Sequence, residues 1–349
     1  MGEDMTTGLT LNSPAPSLAI QGGSVEFAVE AAVAAERNGF HSAWTCEIYN
    51  RSAPVTLTAM ALGTSRIGLG SAVAWGFGRS PMTLATDARS IDLVSGGRLF
   101  LGIGTGGSPD WHGEKEAHPA PRVEELVDLL RQLWHTHEQP LDHNGRFYSV
   151  WTPPDPTVPP PVNGTIPVLV GGMKPPMARA AGAVADGFVG HPLTTPGYVN
   201  EVIRPALADG AKRAGRTDEV PIAGMLIAAV DDENPDKARE AAALTIAVYI
   251  SRGGVDFFLD FHGFQQEGKA IAEASSHRDL DGMKAAVSDR MLDEIAVFGT
   301  AAEARQRFAE RFDGLYERPL LYSPTSRLPV EYLHENVHAV IDAFAYKEG

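Results

Sequence analysis

Gly102-Ile103-Gly104-Thr105-Gly106-Gly107 is the stretch that separates two α/β architectures. It matches G-x-G-x-x-G, the fingerprint of a dinucleotide-binding turn, and it follows Leu99-Phe100-Leu101, which reads as a strand. Such a turn runs straight into a helix whose N-terminus holds pyrophosphate. Here Ser108-Pro109 follows, helical periodicity waits until about Pro121, and the acidic residue expected after the next strand would fall inside a helix. The glycines therefore read either as a loop at the C-terminal end of a barrel strand, left bare where a flat ligand approaches, or as a plain flexible connection.

Outward from this loop, short β-rich runs alternate with amphipathic stretches, the pattern of βα units around a parallel sheet. Arg122 to Trp134 is the strongest helix, with Val123, Leu126, Val127, Leu130, Leu133 and Trp134 on one stripe. Upstream, Val25, Val29, Ala32 and Val33 form another, capped by Ser24 and stopped at Asn38-Gly39. Ser80-Pro81 and Thr195-Pro196 mark helix starts, and Thr300 with Glu303 forms a capping box. Strands are expected at about 8–12, 41–46, 66–74, 98–103, 166–171, 186–190, 221–230 and 318–323. Pro167-Val168-Leu169-Val170 and Met225-Leu226-Ile227-Ala228-Ala229-Val230 are apolar without alternation, as strands covered on both faces must be. Eight strands imply an α/β fold, a TIM-like (β/α)8 barrel with insertions. Residues 1–349 read as a single barrel domain, decorated by a Pro-rich loop near 151–161 and a helical insertion near 252–298. Two doubly wound halves, divided at the Pro-rich loop, are the competing arrangement.

With 29 Lys and Arg against 44 Asp and Glu, the formal charge is −15. That sign opposes binding to nucleic acid and to anionic membrane surfaces, both of which select for clustered cations. The only cysteine, Cys46, excludes an intramolecular disulfide and any zinc site on paired cysteines. No basic stretch followed by an apolar core opens the chain and no 18-residue apolar run occurs, so a cytoplasmic protein with no membrane span is expected.

Two further segments can carry chemistry. Gly171-Gly172-Met173-Lys174 follows the fifth strand and Thr194-Thr195 the sixth. Each presents backbone N–H groups where a helix begins, a setting that stabilises phosphate, although most such sites are ordinary turns and caps. His135, His137 and His143 lie close in sequence but lack metal-ligand spacing and read as solvated. Trp44, Trp75, Phe77 and Trp111 fall in or just after strands, where they wall a pocket or fill the core. No Gly-x-Ser-x-Gly elbow is present.

Several motifs together carry a family resemblance. They are Ala31-Ala32-Val33-Ala34-Ala35-Glu36-Arg37-Asn38-Gly39-Phe40, Thr64-Ser65-Arg66-Ile67-Gly68-Leu69-Gly70, and Ser95-Gly96-Gly97-Arg98 continuing to Gly106. Pro167 to Gly172, Ala185-Asp186-Gly187-Phe188 and Ile203-Arg204-Pro205-Ala206-Leu207 complete them. The chain resembles the luciferase-like monooxygenase superfamily, and within it the branch of coenzyme F420-dependent oxidoreductases. The resemblance implies a barrel, usually a homodimer, that binds a reduced deazaflavin or flavin at its C-terminal mouth and acts on a small-molecule substrate. It implies a non-prolyl cis peptide at Ala72-Val73 against the ring; with the loops read above, Gly104 and Gly106 are expected to adjoin that ring and the phosphate to sit on the amides of Gly171, Gly172 and Met173 with Thr194 or Thr195. Sugar-phosphate and alcohol dehydrogenases of the branch end strand 2 in Asp-His; here Glu47-Ile48 stands there, and Gly107 replaces a carboxylate after strand 4. Glu47 thus becomes the candidate catalytic carboxylate, with a salt bridge as its plain alternative. Hydride transfer from F420 to an organic acceptor is the expected activity. An FMN-dependent monooxygenase using oxygen and a partner flavin reductase is the alternative, and a non-catalytic cofactor-storing barrel is a third reading.

Overall fold

The computed structural model describes residues 13–106, 117–137 and 139–347. Twelve strands occur among them: β1 Ser17–Ile20, β2 Ser42–Thr45, β3 Gly68–Ser71, β4 Ala74–Trp75, β5 Leu99–Gly104, β6 Leu141–Asn144, β7 Ser149–Thr152, β8 Val168–Gly172, β9 Gly187–Gly190, β10 Ile222–Val230, β11 Ala296–Gly299 and β12 Arg318–Tyr322. Eight of these close into a parallel ring in the order β1-β2-β3-β5-β8-β9-β10-β12 and back to β1. The fold is therefore the TIM-like barrel expected from the strand pattern. β4 continues β3 beyond a bulge and pairs with β5 through Ala74↔Ile103 and Trp75↔Gly104. Within that bulge the Ala72–Val73 peptide is cis, as the resemblance implies.

Three elements differ from expectation. The strand expected at 8–12 lies outside the described residues, and the first barrel strand is Ser17–Ile20. Ala296–Gly299, read as the end of the helical insertion, is a strand that pairs with Ile227–Val230 of β10. Four residues are too few to show a period. Ahead of the Pro-rich loop, β6 and β7 form an antiparallel hairpin whose half-exposed residues gave little hydrophobic signal. Glu125 pins that hairpin by accepting the amides of Arg146, Phe147 and Tyr148, and it pairs with His143 at 3.2 Å. His143 is thus a structural partner. Among the described residues, no cluster of three or more His, Cys, Asp or Glu is placed to hold a metal.

Helix ends follow their caps. Ser24 accepts the amide of Phe27, Ser80 that of Thr83, and Thr195 that of Tyr198, while Thr300 and Glu303 form the reciprocal box. Each cap contributes about 1 kcal/mol. The barrel interior is filled rather than hollow. Trp44 is fully buried, stacks on Phe100 at 5.7 Å between centroids, and donates its indole N–H to Ser42 Oγ at 2.8 Å. Gly70 makes this possible, because a Cβ there would fall 2.2 Å from the Trp44 ring. Trp44 is core and Trp75 is half-buried; Trp111 lies outside the described residues. Four helices occupy Asp256–His262, Gln265–Ser276, Leu280–Ala285 and Asp289–Ile295. Their buried Phe258, Met283 and Met291, with Phe264 between the first two helices, join barrel residues such as Leu169, Val189 and Met225 in one apolar cluster. Burying each such side chain contributes about 2 kcal/mol, which fixes the insertion onto the barrel.

Candidate functional site

Catalytic groups of a barrel stand where strands end and βα loops begin. β3, β5 and β8 end around Val73. A Cβ on Gly104 would lie 2.9 Å from Val73 Cγ2, and one on Gly171 would lie 2.6 Å from Val73 Cγ1. The two glycines are therefore the space into which Val73 packs, so three of the residues singled out in sequence meet in one apolar wall. Gly106 adopts φ +81°, a turn that favours glycine.

Glu47 follows β2 and is almost completely buried. Its carboxylate accepts two hydrogen bonds from the Arg79 guanidinium, at 2.5 and 2.6 Å, and one from the Trp75 amide at 3.0 Å. Arg79 also reaches Asp87 at 3.3 Å, and its guanidinium pKa is raised by the Glu47 hydrogen bonds. A carboxylate with three donors is an anchor for Arg79 and for the start of β4, and the salt-bridge alternative describes its geometry.

The phosphate-type rim is brought together in part. Loop 191–198 meets loop 171–174 through the Tyr198 hydroxyl, which donates to the Met173 carbonyl at 3.0 Å. Thr194 and Thr195 are both buried, and their hydroxyls serve the chain itself. Thr194 Oγ1 donates to the His191 carbonyl at 2.5 Å, whereas Thr195 Oγ1 caps the following helix and pairs with His262 Nε2 at 2.8 Å. The helix after Lys174 opens with Pro175-Pro176, which have no N–H, so its first turn offers no amide donors at these two positions. Lys174 lies beside it, its ammonium 4.9 Å above the Phe257 ring.

Several groups at this end carried no sequence signal. Gln21, after β1, reaches the Ala72 carbonyl at 3.5 Å. Cys46 is buried, and its thiol is pushed up to about 11 by desolvation. His191, after β9, meets Tyr249 edge-on at 4.9 Å, and Tyr249 meets Tyr322. They come from a loop, from the end of helix Pro235–Ser251 and from β12, so only tertiary closure unites them. The dipeptide Gly190-His191 directly after a strand was the one available hint.

A sequence profile described as luciferase-like monooxygenase matches residues 5–318. The chain belongs to that family. Its relatives include an uncharacterised protein of Mycobacterium tuberculosis, 34% identical over 309 residues, covering 84% of this chain and 88% of the relative. The 5,10-methylenetetrahydromethanopterin reductase of Methanopyrus kandleri is 30% identical over 284 residues, covering 76% of this chain and 79% of that enzyme. The solved structure of the coenzyme F420-dependent tetrahydromethanopterin reductase from Methanopyrus kandleri superposes with a TM-score of 0.78 at 25% identity, covering 95% of this chain and 99% of that one. This luciferase-like chain is accordingly an enzyme of a family of F420- or flavin-dependent oxidoreductases and monooxygenases. No helix among its described residues is long and apolar enough to cross a membrane.

Proposed function

We propose that this luciferase-like enzyme transfers hydride between coenzyme F420 and a small organic acceptor. The observation that carries the reading is the apolar wall in which Val73 seats between Gly104 and Gly171, where three strand ends meet. Such a wall fits one face of a planar tricyclic ring. Bound there, the deazaflavin would supply the hydride; the protein supplies position and a dry surrounding. Ala72 and Val73 support the ring, Gly104 and Gly106 keep the adjoining loop open, and Gly171, Gly172, Met173 and Lys174 face the phosphate. Thr194 and Thr195 hold the neighbouring loop, and Glu47 fixes Arg79 beside the mouth. Lys174 offsets part of the unfavourable charge between an acidic protein and the cofactor's acidic tail. Absorption titration with F420 and with FMN tests this. Saturable F420 binding with weak FMN binding is the expected result; tight FMN binding with no F420 response would install the monooxygenase reading instead.

The same proposal includes a homodimer. Helix Ala53–Gly63 carries apolar residues around its circumference, yet Leu62 is 75% and Val55 59% exposed. Met82, Leu93 and Val94 on helix Pro81–Ser95 are also exposed. An apolar patch of this extent is covered in most soluble proteins, and a second copy supplies a matching patch by symmetry. Sedimentation should show a dimer that Leu62→Glu with Val94→Glu converts to monomer at the same concentration. A wild-type monomer would reject it.

A further inference from the structure

We infer that Asp256–His262, the first helix of the insertion, is a positioning element for the phosphate end of the cofactor: its Phe257, Phe261 and His262 act through Tyr198 and Thr195 to hold Met173 and Lys174 in the shape that receives a phosphate ester. This rests on the reading above that puts phosphate on that loop, and it applies equally to a deazaflavin or a flavin phosphate. The helix touches the rim through side chains on two of its turns. His262 Nε2 pairs with Thr195 Oγ1 at 2.8 Å, and the same oxygen accepts the Tyr198 amide at 3.3 Å. The Phe261 ring meets Tyr198 edge-on at 5.2 Å between centroids, and the Phe257 ring meets it at 5.8 Å. Phe257 also lies 4.9 Å from the Lys174 ammonium. Tyr198, held in this way and almost completely buried, donates its hydroxyl to the Met173 carbonyl at 3.0 Å.

That hydroxyl sets how the loop faces a ligand. The peptide joining Met173 to Lys174 is trans, so its carbonyl and its N–H point to opposite sides. With the carbonyl fixed on Tyr198, the Lys174 N–H is turned away from Tyr198, and among the described residues neither it nor the Met173 N–H donates to a backbone carbonyl. Neighbouring elements do not hold this peptide, because β8 ends at Gly172 and the next helix begins at Pro175. Ordering a loose loop on binding costs conformational entropy, and a loop ordered in advance spares the ligand that cost. Phe257 adds charge to the arrangement, since cation–π attraction keeps the Lys174 ammonium beside the amides. Burial lowers the His262 pKa, so near pH 7 the imidazole is neutral and engages the Thr195 hydroxyl without adding charge. The single Tyr198 hydroxyl proton is taken by the Met173 carbonyl, so Tyr198 acts on a phosphate through the loop and not by donating to it.

The test titrates four probes by absorption and fluorescence: F420, its phosphate-free 8-hydroxy-5-deazariboflavin chromophore, FMN and riboflavin. Within each pair the ratio of dissociation constants reports what the phosphate end adds. Wild type should bind the phosphorylated member of a pair about tenfold or more tightly than its partner. Tyr198→Phe, which keeps the ring and loses the hydroxyl, should weaken the phosphorylated member about tenfold, the effect of one lost hydrogen bond, and leave the phosphate-free member within about twofold. His262→Leu should act in the same direction, and His262→Gln, which keeps a polar partner for Thr195, should recover most of the loss. Thermal unfolding of each variant checks the fold, and Tyr198→Phe alone decides the matter if His262→Leu does not fold. Equal weakening of both members of a pair would show that the helix only packs, and would overturn the inference. Unchanged affinities in the variants, or a wild type with no preference for the phosphorylated member, would overturn it as well. The two pairs separate this inference from the reading beneath it. A wild type that takes FMN and ignores F420 removes the F420 reading, and the flavin pair still decides the inference; F420 binding with an unmoved ratio in the variants removes the inference and leaves the reading.

Discussion

Arg79→Met should lower stability by about 3 kcal/mol, read as a fall in the denaturant midpoint at pH 7. The Glu47 side chain is only 5% exposed, and two of its three donors come from Arg79. Removing the guanidinium leaves a buried carboxylate with the Trp75 amide alone, and the uncompensated charge dominates the cost. Arg79 is 21% exposed, so water recovers part of the loss and holds the figure at the lower end of the range for a broken buried pair. Glu47→Gln in the Arg79→Met background should recover more than half of the loss, because the amide remains an acceptor for Trp75 without bearing charge. An Arg79→Met protein within about 0.5 kcal/mol of wild type would show the pair to be energetically idle. Glu47→Gln alone also asks what the carboxylate does in turnover: a positioning role predicts a change in cofactor affinity and activity together, and a proton-handling role predicts loss of turnover alone.

The barrel was legible because its evidence is local and repeated. Capping residues, glycine stops and non-alternating strands are short-range signals, and at Ser24, Ser80, Thr195 and Thr300 each produced the expected helix start. What failed was equally local in cause. β11 has four residues, and β6 and β7 are half-exposed, so neither carries the hydrophobic period from which strands are read.

The site divides the same way. Val73, Gly104 and Gly171 were visible as motif positions, and their meeting follows from the order of neighbouring strands. Glu47 was visible, but Arg79, 32 residues away, was not, and the partner decides whether a carboxylate is an acid or an anchor. Thr194 and Thr195 are legible as a helix start, but what their hydroxyls bond is not: His262 in the insertion engages Thr195 and the His191 carbonyl engages Thr194. His191, Tyr249 and Tyr322 belong to three separate elements, and no spacing rule links them.

Acidification from pH 7 to 5 should destabilise the protein before its carboxylates protonate, and His191 and His41 set the size of the effect. Burial lowers both to about 3, with Arg252 adding to the shift at His191 and Arg318 at His41. In the unfolded chain each titrates near its ordinary value of 6.5. Between these values the unfolded state binds the proton and the folded state does not, so stability rises with pH across that window and is lost as pH falls below 6.5. Above it both states are neutral and the histidines contribute no slope. His41 and His191 are both half-buried, so at pH 5 each contributes a loss below the roughly 2 kcal/mol that a fully buried imidazole with this shift would give. Glu36 and Glu125 have lowered values, held down by backbone amides and, for Glu125, by His143, and they add their loss only at lower pH. Urea unfolding from pH 7 to 5 should therefore show a falling midpoint at nearly constant m-value. His191→Gln and His41→Gln should each remove part of the slope, with His262, also lowered by burial, supplying a further share. A wild-type midpoint flat across this range would mean that the folded protein protonates these imidazoles as readily as the unfolded chain does.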